Sequence, residues 1–247
     1  MLDWFSFNAK KKQAPSLHNF STIGIDIHSH ILPGIDDGAS DVNASIVLIK
    51  ELISLGYHKL IATPHVMIDF YKNTPQTIKS SLNKLKKELI NQKINIEIQV
   101  GAEYYVDYYF EQLIESDGIL HFGDNYVLIE LSFMSKPHNL NDIIFKLQLK
   151  GYKVILAHPE RYMYLTMQDF TELRDRNVYL QLNLLSLLDY YSKEVKKRAS
   201  MLIESGFVSF LGTDCHNINQ ASLYNKCLRT KEWDRIFDKN KILNHTL

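Results

Sequence analysis

Seven short runs rich in β-branched and apolar residues alternate with longer stretches of helical period, and this alternation is the strongest constraint on what the chain can fold into. The runs lie near residues 23–27, 59–63, 96–101, 126–130, 153–157, 178–183 and 207–211. Such a rhythm predicts a parallel sheet whose apolar strands are covered by helices. The helical stretches carry their own punctuation. Asp41 can cap a helix that puts Ile46, Ile49 and Ile53 on one face and ends at Gly56. Pro75 sits where a first-turn proline belongs, followed by Ile78, Leu82, Leu85 and Leu89 on one stripe. Gly151 and Gly206 close two later helices. No further repeat and no low-complexity linker divides the 247 residues. The expectation is a single α/β domain of about seven β/α units over 21–247, preceded by an arm over 1–20.

Composition narrows the function classes. Lys+Arg and Asp+Glu both number 28, so the formal net charge is zero, which argues against a dedicated nucleic-acid binder. Cys215 and Cys227 are the only cysteines, too few for a disulfide framework. No apolar run approaches the roughly 18 residues that span a bilayer, and the first residues lack the apolar stretch of a signal peptide. A soluble cytoplasmic protein without stable membrane insertion is expected. Trp4, Phe5 and Phe7, followed by Lys10, Lys11 and Lys12, read as a flexible or loosely docked arm.

The chemistry lies at the strand ends. His28 and His30 follow the first strand in DIHSH, with Asp37 behind them in PGIDDG, and His65 follows the second in ATPH. Glu103 ends the third, Glu130 the fourth and His158 the fifth, while Asp214 and His216 follow the seventh in GTDCH. Parallel strands of a barrel point their C-terminal ends at one face, so these nine groups converge. A lone histidine or carboxylate at a strand end is ordinarily a cap or a packed side chain. The same coincidence at six strand ends has one joint explanation, a metal site. Imidazole and carboxylate without thiolate suit Mn²⁺, Fe²⁺ or Zn²⁺. Alternation turns Cys215 away from its neighbours, so it reads as packing.

DIHSHILPGIDDGA, ATPH, GAE, LIE, AHPERY and GTDCHN, in this order, resemble the polymerase-and-histidinol-phosphatase superfamily. Within it, they are most similar to the bacterial metal-dependent protein-tyrosine phosphatases of capsular and exopolysaccharide gene clusters. The resemblance implies a distorted (β/α)7 TIM-like barrel with three divalent ions, manganese foremost. His28, His30, Glu103 and Asp214 would hold the first ion, Glu103, Glu130 and His158 the second, and Asp37, His65 and His216 the third. Spacing in the family selects Asp37, with Asp36 as the fallback. Arg161 of HPERY matches the arginine that grips substrate phosphate, as a planar fork of donors is suited to do. A second arginine, placed by some relatives just after the D-x-H pair, is absent here, and Arg229 is the next one. The implied reaction is hydrolysis of phosphotyrosine on proteins by a metal-activated water, the implied partner the tail of a bacterial tyrosine kinase. A small-molecule phosphatase of the histidinol-phosphate type is the alternative, and a regulatory metal-binding module a third reading. Tyr104, Tyr105, Tyr108, Tyr109, Tyr162 and Tyr164 either stack on a substrate ring or pack at the helix–barrel boundary.

Overall fold

The structure, a computed structural model, describes residues 18–247; the aromatic and lysine cluster of the arm lies outside the described residues. Nine strands form: β1 Ile25–Ser29, β2 Lys59–Ala62, β3 His65–Val66, β4 Glu97–Val100, β5 Glu103–Tyr105, β6 Tyr126–Glu130, β7 Lys153–Ala157, β8 Tyr179–Asn183 and β9 Val208–Gly212. Ten helices accompany them: α1 Phe20–Ile23, α2 Val42–Leu55, α3 Pro75–Asn91, α4 Tyr108–Glu115, α5 Leu140–Leu149, α6 Met167–Asp175, α7 Lys193–Glu204, α8 Ile218–Ala221, α9 Tyr224–Cys227 and α10 Lys231–Lys239. Phe20, assigned to the arm by sequence, is fully buried, and Trp233 donates its indole N–H to the carbonyl of His18.

Helix boundaries follow the local chemistry. The Asp41 carboxylate accepts from the Ala44 amide at the start of α2, and Gly56 ends that helix with a φ of 112°, which a side chain would resist. Thr74 and Thr77 cap α3 reciprocally in front of Pro75, and Ile78, Leu82, Leu85 and Leu89 are buried beneath it. A core of Ile25, Ile27, Ile61, Leu128, Ile155 and Phe210 fills the space that the strands enclose, and a second, larger core lies between strands and helices. Among the described residues no helix is long and apolar enough to cross a membrane.

Every strand pairing is parallel, as expected, and the ladders form two sheets, β1-β2-β4 and β3-β5-β6-β7-β8-β9, that do not close into one continuous barrel. Two of the seven expected strands are each broken in two. Pro64, with no N–H to give, separates β2 from β3, and Gly101 and Ala102 separate β4 from β5. The chain continues in line across both breaks, since Gly101 N donates to Ala62 O and Glu103 N to Pro64 O.

Between β9 and β1 a seam of side-chain hydrogen bonds replaces most of the ladder. The fully buried Asn244 donates to Ile25 O at 2.8 Å and Leu211 O at 2.7 Å, and accepts from Leu211 N at 2.9 Å. Further along, the Asp26 carboxylate accepts from the amide and hydroxyl of Thr213 at 2.9 and 2.5 Å. At the far end Asp214 N donates to His28 O and His30 N to Cys215 O.

Replacing Asn244 with alanine removes three buried hydrogen bonds and strands their backbone partners, a loss of about 3 kcal/mol. Urea unfolding should report that loss, and Asn244→Asp should be no better, because a carboxylate donates to neither carbonyl. A change under about 1 kcal/mol would leave seam closure to apolar packing alone.

Candidate metal centre

A bulge in β1 sets the site. Asp26 faces Leu60 but Ser29 faces Ala62, so β1 carries one residue more than β2 over this stretch. The extra residue lets His28 face inward as Ile27 does, with His30 beside it by alternation. Gly212 makes room, because a Cβ there would lie 2.8 Å from that of His28. Gly38 is equally constrained in the PGIDDG turn, where a Cβ would run into the His30 backbone. His158 and Asp214 enter the site from left-handed backbone, with φ of 34° and 53°. For non-glycine residues this is stored strain of the kind that gathers at functional sites.

All nine residues singled out in the sequence come together, seven of them lining one cavity of about 360 Å³ and His28 and His30 packed against those seven. His28 Nε2 lies 3.2 Å from both His30 Nε2 and Glu103 Oε2, and 3.4 Å from Asp214 Oδ1. His30 Nε2 is 3.4 Å from each of the same two oxygens. Ligand atoms held roughly 2.0–2.1 Å from a tetrahedral ion are about 3.3–3.4 Å apart, so the two imidazoles stand at ligand spacing from each other and from each carboxylate oxygen.

Glu103 Oε1 meets His158 Nε2 at 2.9 Å, and Glu130 Oε1 stands 3.7 Å from the same nitrogen. Asp37 Oδ1 lies 3.5 Å from His65 Nε2 and 3.4 Å from His216 Nε2. His65 also turns Nδ1 toward Glu103 at 3.1 Å and Glu130 at 3.6 Å, so its position lies between two groups instead of within one. Glu103 Oε2 and His65 Nδ1 are buried without hydrogen-bond partners. Orphaned lone pairs aimed at one another's neighbourhood are what a cation satisfies.

The electrostatics agree. Burial works against the charge on Glu103, but His28 and His65 outweigh it and hold the carboxyl well below its usual range. Burial and the charge of Glu103 push Glu130 well above its own, so the metal-free centre keeps a proton that a cation would displace. His158 is pushed down to about 4 by burial and by Arg161, leaving a neutral imidazole suited to ligation.

A layer behind the ligands orients them. His30 Nδ1 donates to Asp36 at 2.7 Å, so the fallback residue backs a ligand while Asp37 reaches the cavity. Gln181 accepts from His28 Nδ1 at 2.8 Å and donates to Asn183, which donates to Asp214 Oδ2 at 2.7 Å. Gln220 accepts from the amide of His216 at 2.7 Å. The sixth strand of the sequence reading, which supplies no ligand, thus supplies their support.

Arg161 lies in the cavity wall, its guanidinium carbon 4.4 Å from the Phe133 ring and 4.6 Å from the Tyr191 ring. Its Nη1 is 3.4 Å from Asp214 Oδ2. Burial opposes its charge, and Asp214 more than offsets that. Arg229 is exposed and does not line the cavity, where Asn217 and Gln220 stand instead. None of the six tyrosines proposed for ring stacking lines it either. The hydroxyls of Tyr104 and Tyr162 accept from the amides of Leu120 and Leu131, and Tyr164 donates to Ser132 O, which is the packing alternative. Both cysteines are buried, and burial raises each thiol to about 12.

Parallel α/β architecture and a histidine–carboxylate cluster at the strand ends fit a metal-dependent hydrolase of the phosphatase kind. More narrowly, the chain belongs to the capsular polysaccharide synthesis family CpsB/CapC, whose model matches residues 24–235. The tyrosine-protein phosphatase YwqE of Bacillus subtilis (strain 168) is 32% identical over 203 residues, which cover 81% of this chain and 80% of YwqE. A crystal structure from work on YwqE and on CpsB of Streptococcus pneumoniae, described there as metal-dependent tyrosine phosphatases, superposes with a TM-score of 0.79. It is 30% identical and covers 87% of this chain and 90% of its own. Histidinol phosphate phosphatase of Lactococcus lactis subsp. lactis Il1403 shares the fold, with a TM-score of 0.50, 16% identity and coverage of 83% and 91%.

Metal analysis of protein purified without chelators should find more than one divalent equivalent per chain. Glu103→Gln should lower that content most, since this carboxylate faces four imidazoles. Asp36→Asn keeps every proposed ligand and should weaken metal affinity roughly 10- to 100-fold. Unchanged content in Glu103→Gln would remove it from the ligand set.

Proposed function

We propose that this chain is a protein-tyrosine phosphatase that hydrolyses phosphotyrosine by direct attack of a water at a centre of three divalent ions, manganese foremost. In this reading His28, His30, Glu103 and Asp214 hold the first ion, Glu103, Glu130 and His158 the second, and Asp37, His65 and His216 the third. The strands belong to a distorted (β/α)7 barrel, one domain over 21–247, working in the cytoplasm on the tail of a bacterial tyrosine kinase. The observation that carries the reading is the ligand spacing of His28 and His30 from each other and from the Glu103 and Asp214 carboxylates, beside the cavity that Arg161 lines. The activity named for YwqE supports it, whereas the histidinol-phosphate alternative rests on likeness of fold alone.

Divalent ions bound there supply a nucleophilic water at neutral pH and neutralise phosphate oxygens. The chain's own groups do the positioning. Two aromatic rings and the Asp214 carboxylate keep the Arg161 guanidinium from turning, so its donors meet the phosphate at a fixed angle. The thiols stay protonated at neutral pH and lie buried, so neither serves as nucleophile and no cysteinyl phosphoenzyme forms. A phenolate leaves readily, its conjugate acid having a pKa of about 10, so no strong general acid is assigned.

Arg161→Ala should cost on the order of 10²–10³ in kcat/KM with metal content intact, and Arg161→Lys nearly as much, because a point charge does not reproduce the fork. Tyr191→Phe keeps the ring and should stay close to wild type. Wild-type kinetics in Arg161→Ala would return Arg161 to the role of a surface ion pair.

Substrate class is tested by kcat/KM on matched phosphotyrosine and phosphoserine peptides and on histidinol phosphate. A phosphotyrosine carries its phosphate farther from the backbone, roughly 6–7 Å by chain geometry, and should be preferred. Equal rates on the two peptides would remove the reach argument. A tenfold advantage for histidinol phosphate would make the alternative the better name.

A further inference from the structure

A second cavity, of about 270 Å³, opens beside the metal centre between α2 and α8. Ala44, Val47 and Leu48 of α2 line it together with Ile218 of α8, and no Lys, Arg, Asp or Glu takes part. His216 and Asn217 line this cavity and the metal cavity alike, so one two-residue wall separates them. Val47 and Ile218, 48% and 43% exposed, leave apolar surface in water at its edge. The metal cavity is lined mainly by polar groups, Asp37, Gln220 and Arg161 among them, and its Phe133 and Tyr191 rings are taken up by the Arg161 guanidinium.

We infer that this pocket is a subsite for an apolar side chain of the phosphotyrosine-bearing polypeptide, close in sequence to the phosphorylated residue. The inference rests on the phosphatase reading and adds substrate selection to it. A polypeptide anchored by its phosphate on one side of the His216–Asn217 wall runs on over the rim, and where it crosses that wall it meets this pocket. Burying an aliphatic or aromatic side chain there removes its own apolar area and that of Val47 and Ile218 from water. A charged side chain at the same place would lose hydration without gaining a partner. Specificity of this kind is modest per group and tolerant of exact shape, since one apolar group in an apolar pocket discriminates by about 10-fold or somewhat more.

The test uses the metal-loaded full chain and a phosphotyrosine peptide with glycine at the three positions on either side. Leucine is then placed at each position in turn, and a small aryl phosphate serves as a substrate that cannot reach the pocket. Leucine at one or two positions should raise kcat/KM about 10-fold, mainly through KM, and lysine there should not. Val47→Asp should abolish that gain and Val47→Leu should keep it, while the glycine-flanked peptide and the aryl phosphate stay within about twofold. No position with a gain, or a gain that survives in both Val47→Asp and Ile218→Asp, overturns the subsite. Loss of a dimer in Val47→Asp with peptide preference unaltered assigns the pocket to a second copy of the chain and also overturns it. Hydrolysis of the glycine-flanked peptide without any leucine effect leaves the phosphatase reading standing. No turnover of any phosphotyrosine substrate removes that reading and the subsite with it.

Discussion

Glu103 is the group on which the rest of the centre depends. Its carboxylate is fully buried and lies within 3.4 Å of four imidazoles, those of His28, His30, His65 and His158. A charge so desolvated is tolerable only where cationic or hydrogen-bonding partners surround it. Here those partners arrive from three different strand ends, His28 and His30 from the first, which fixes how the strands must be arranged. The second carboxylate, Glu130, shares the same pocket and is forced toward its neutral form by its neighbour. Two like charges this close call for cations between them, and the imidazoles supply the remaining donors.

The hydrogen bonds behind the ligands decide which nitrogen faces the cavity. His28 Nδ1 donates to Gln181, His30 Nδ1 to Asp36, and His216 Nδ1 to the carbonyl of Asp214. Each bond places the proton on Nδ1 and leaves the Nε2 lone pair toward the centre. The same layer links the proposed ligands to Arg161, the residue proposed to bind phosphate. Asp214 offers Oδ1 to the two histidines of β1, while its Oδ2 accepts from Asn183 and meets Arg161. One carboxylate therefore sets the distance between the metal cage and the guanidinium.

What the sequence made legible was the part with a distinctive signature. Histidines and carboxylates at the ends of β-branched runs are rare enough that their position predicts convergence, and all nine come together. Their supports were not legible, because Gln181 and Asn183 look like ordinary strand residues, and Phe133 and Tyr191 lie in segments with no periodicity to place them. Asp36 and Asp37 are adjacent and identical in type; only the turn forced by Gly38 decides which one backs His30. The parallel α/β order was legible, and the points at which the ladder is interrupted were less so. Pro64 in ATPH is a visible reason for a break, yet β1's bulge leaves no mark in DIHSH that distinguishes it from a regular strand.

That irregularity is the source of the metal geometry. Neighbouring strands in a ladder lie about 4.7–4.9 Å apart and present side chains alternately, which does not by itself bring His28, His30 and Asp214 within 3.4 Å of one another. At the seam between β9 and β1 most ladder bonds are replaced by side chains, Asn244 at one end and Asp26 with Thr213 nearer the centre. Freed from strict register, β1 accommodates its extra residue and the chain leaving β9 turns through a left-handed Asp214. A backbone of that kind costs roughly 1–3 kcal/mol. It is opposed by the Asp214 amide donating to His28 O and by Asn183 donating to the Asp214 carboxylate. The seam is thus the place where regular sheet gives way so that the proposed ligands from both sheets meet, and the strain concentrated there is held by hydrogen bonds to the same two residues, His28 and Asp214, that belong to the cluster.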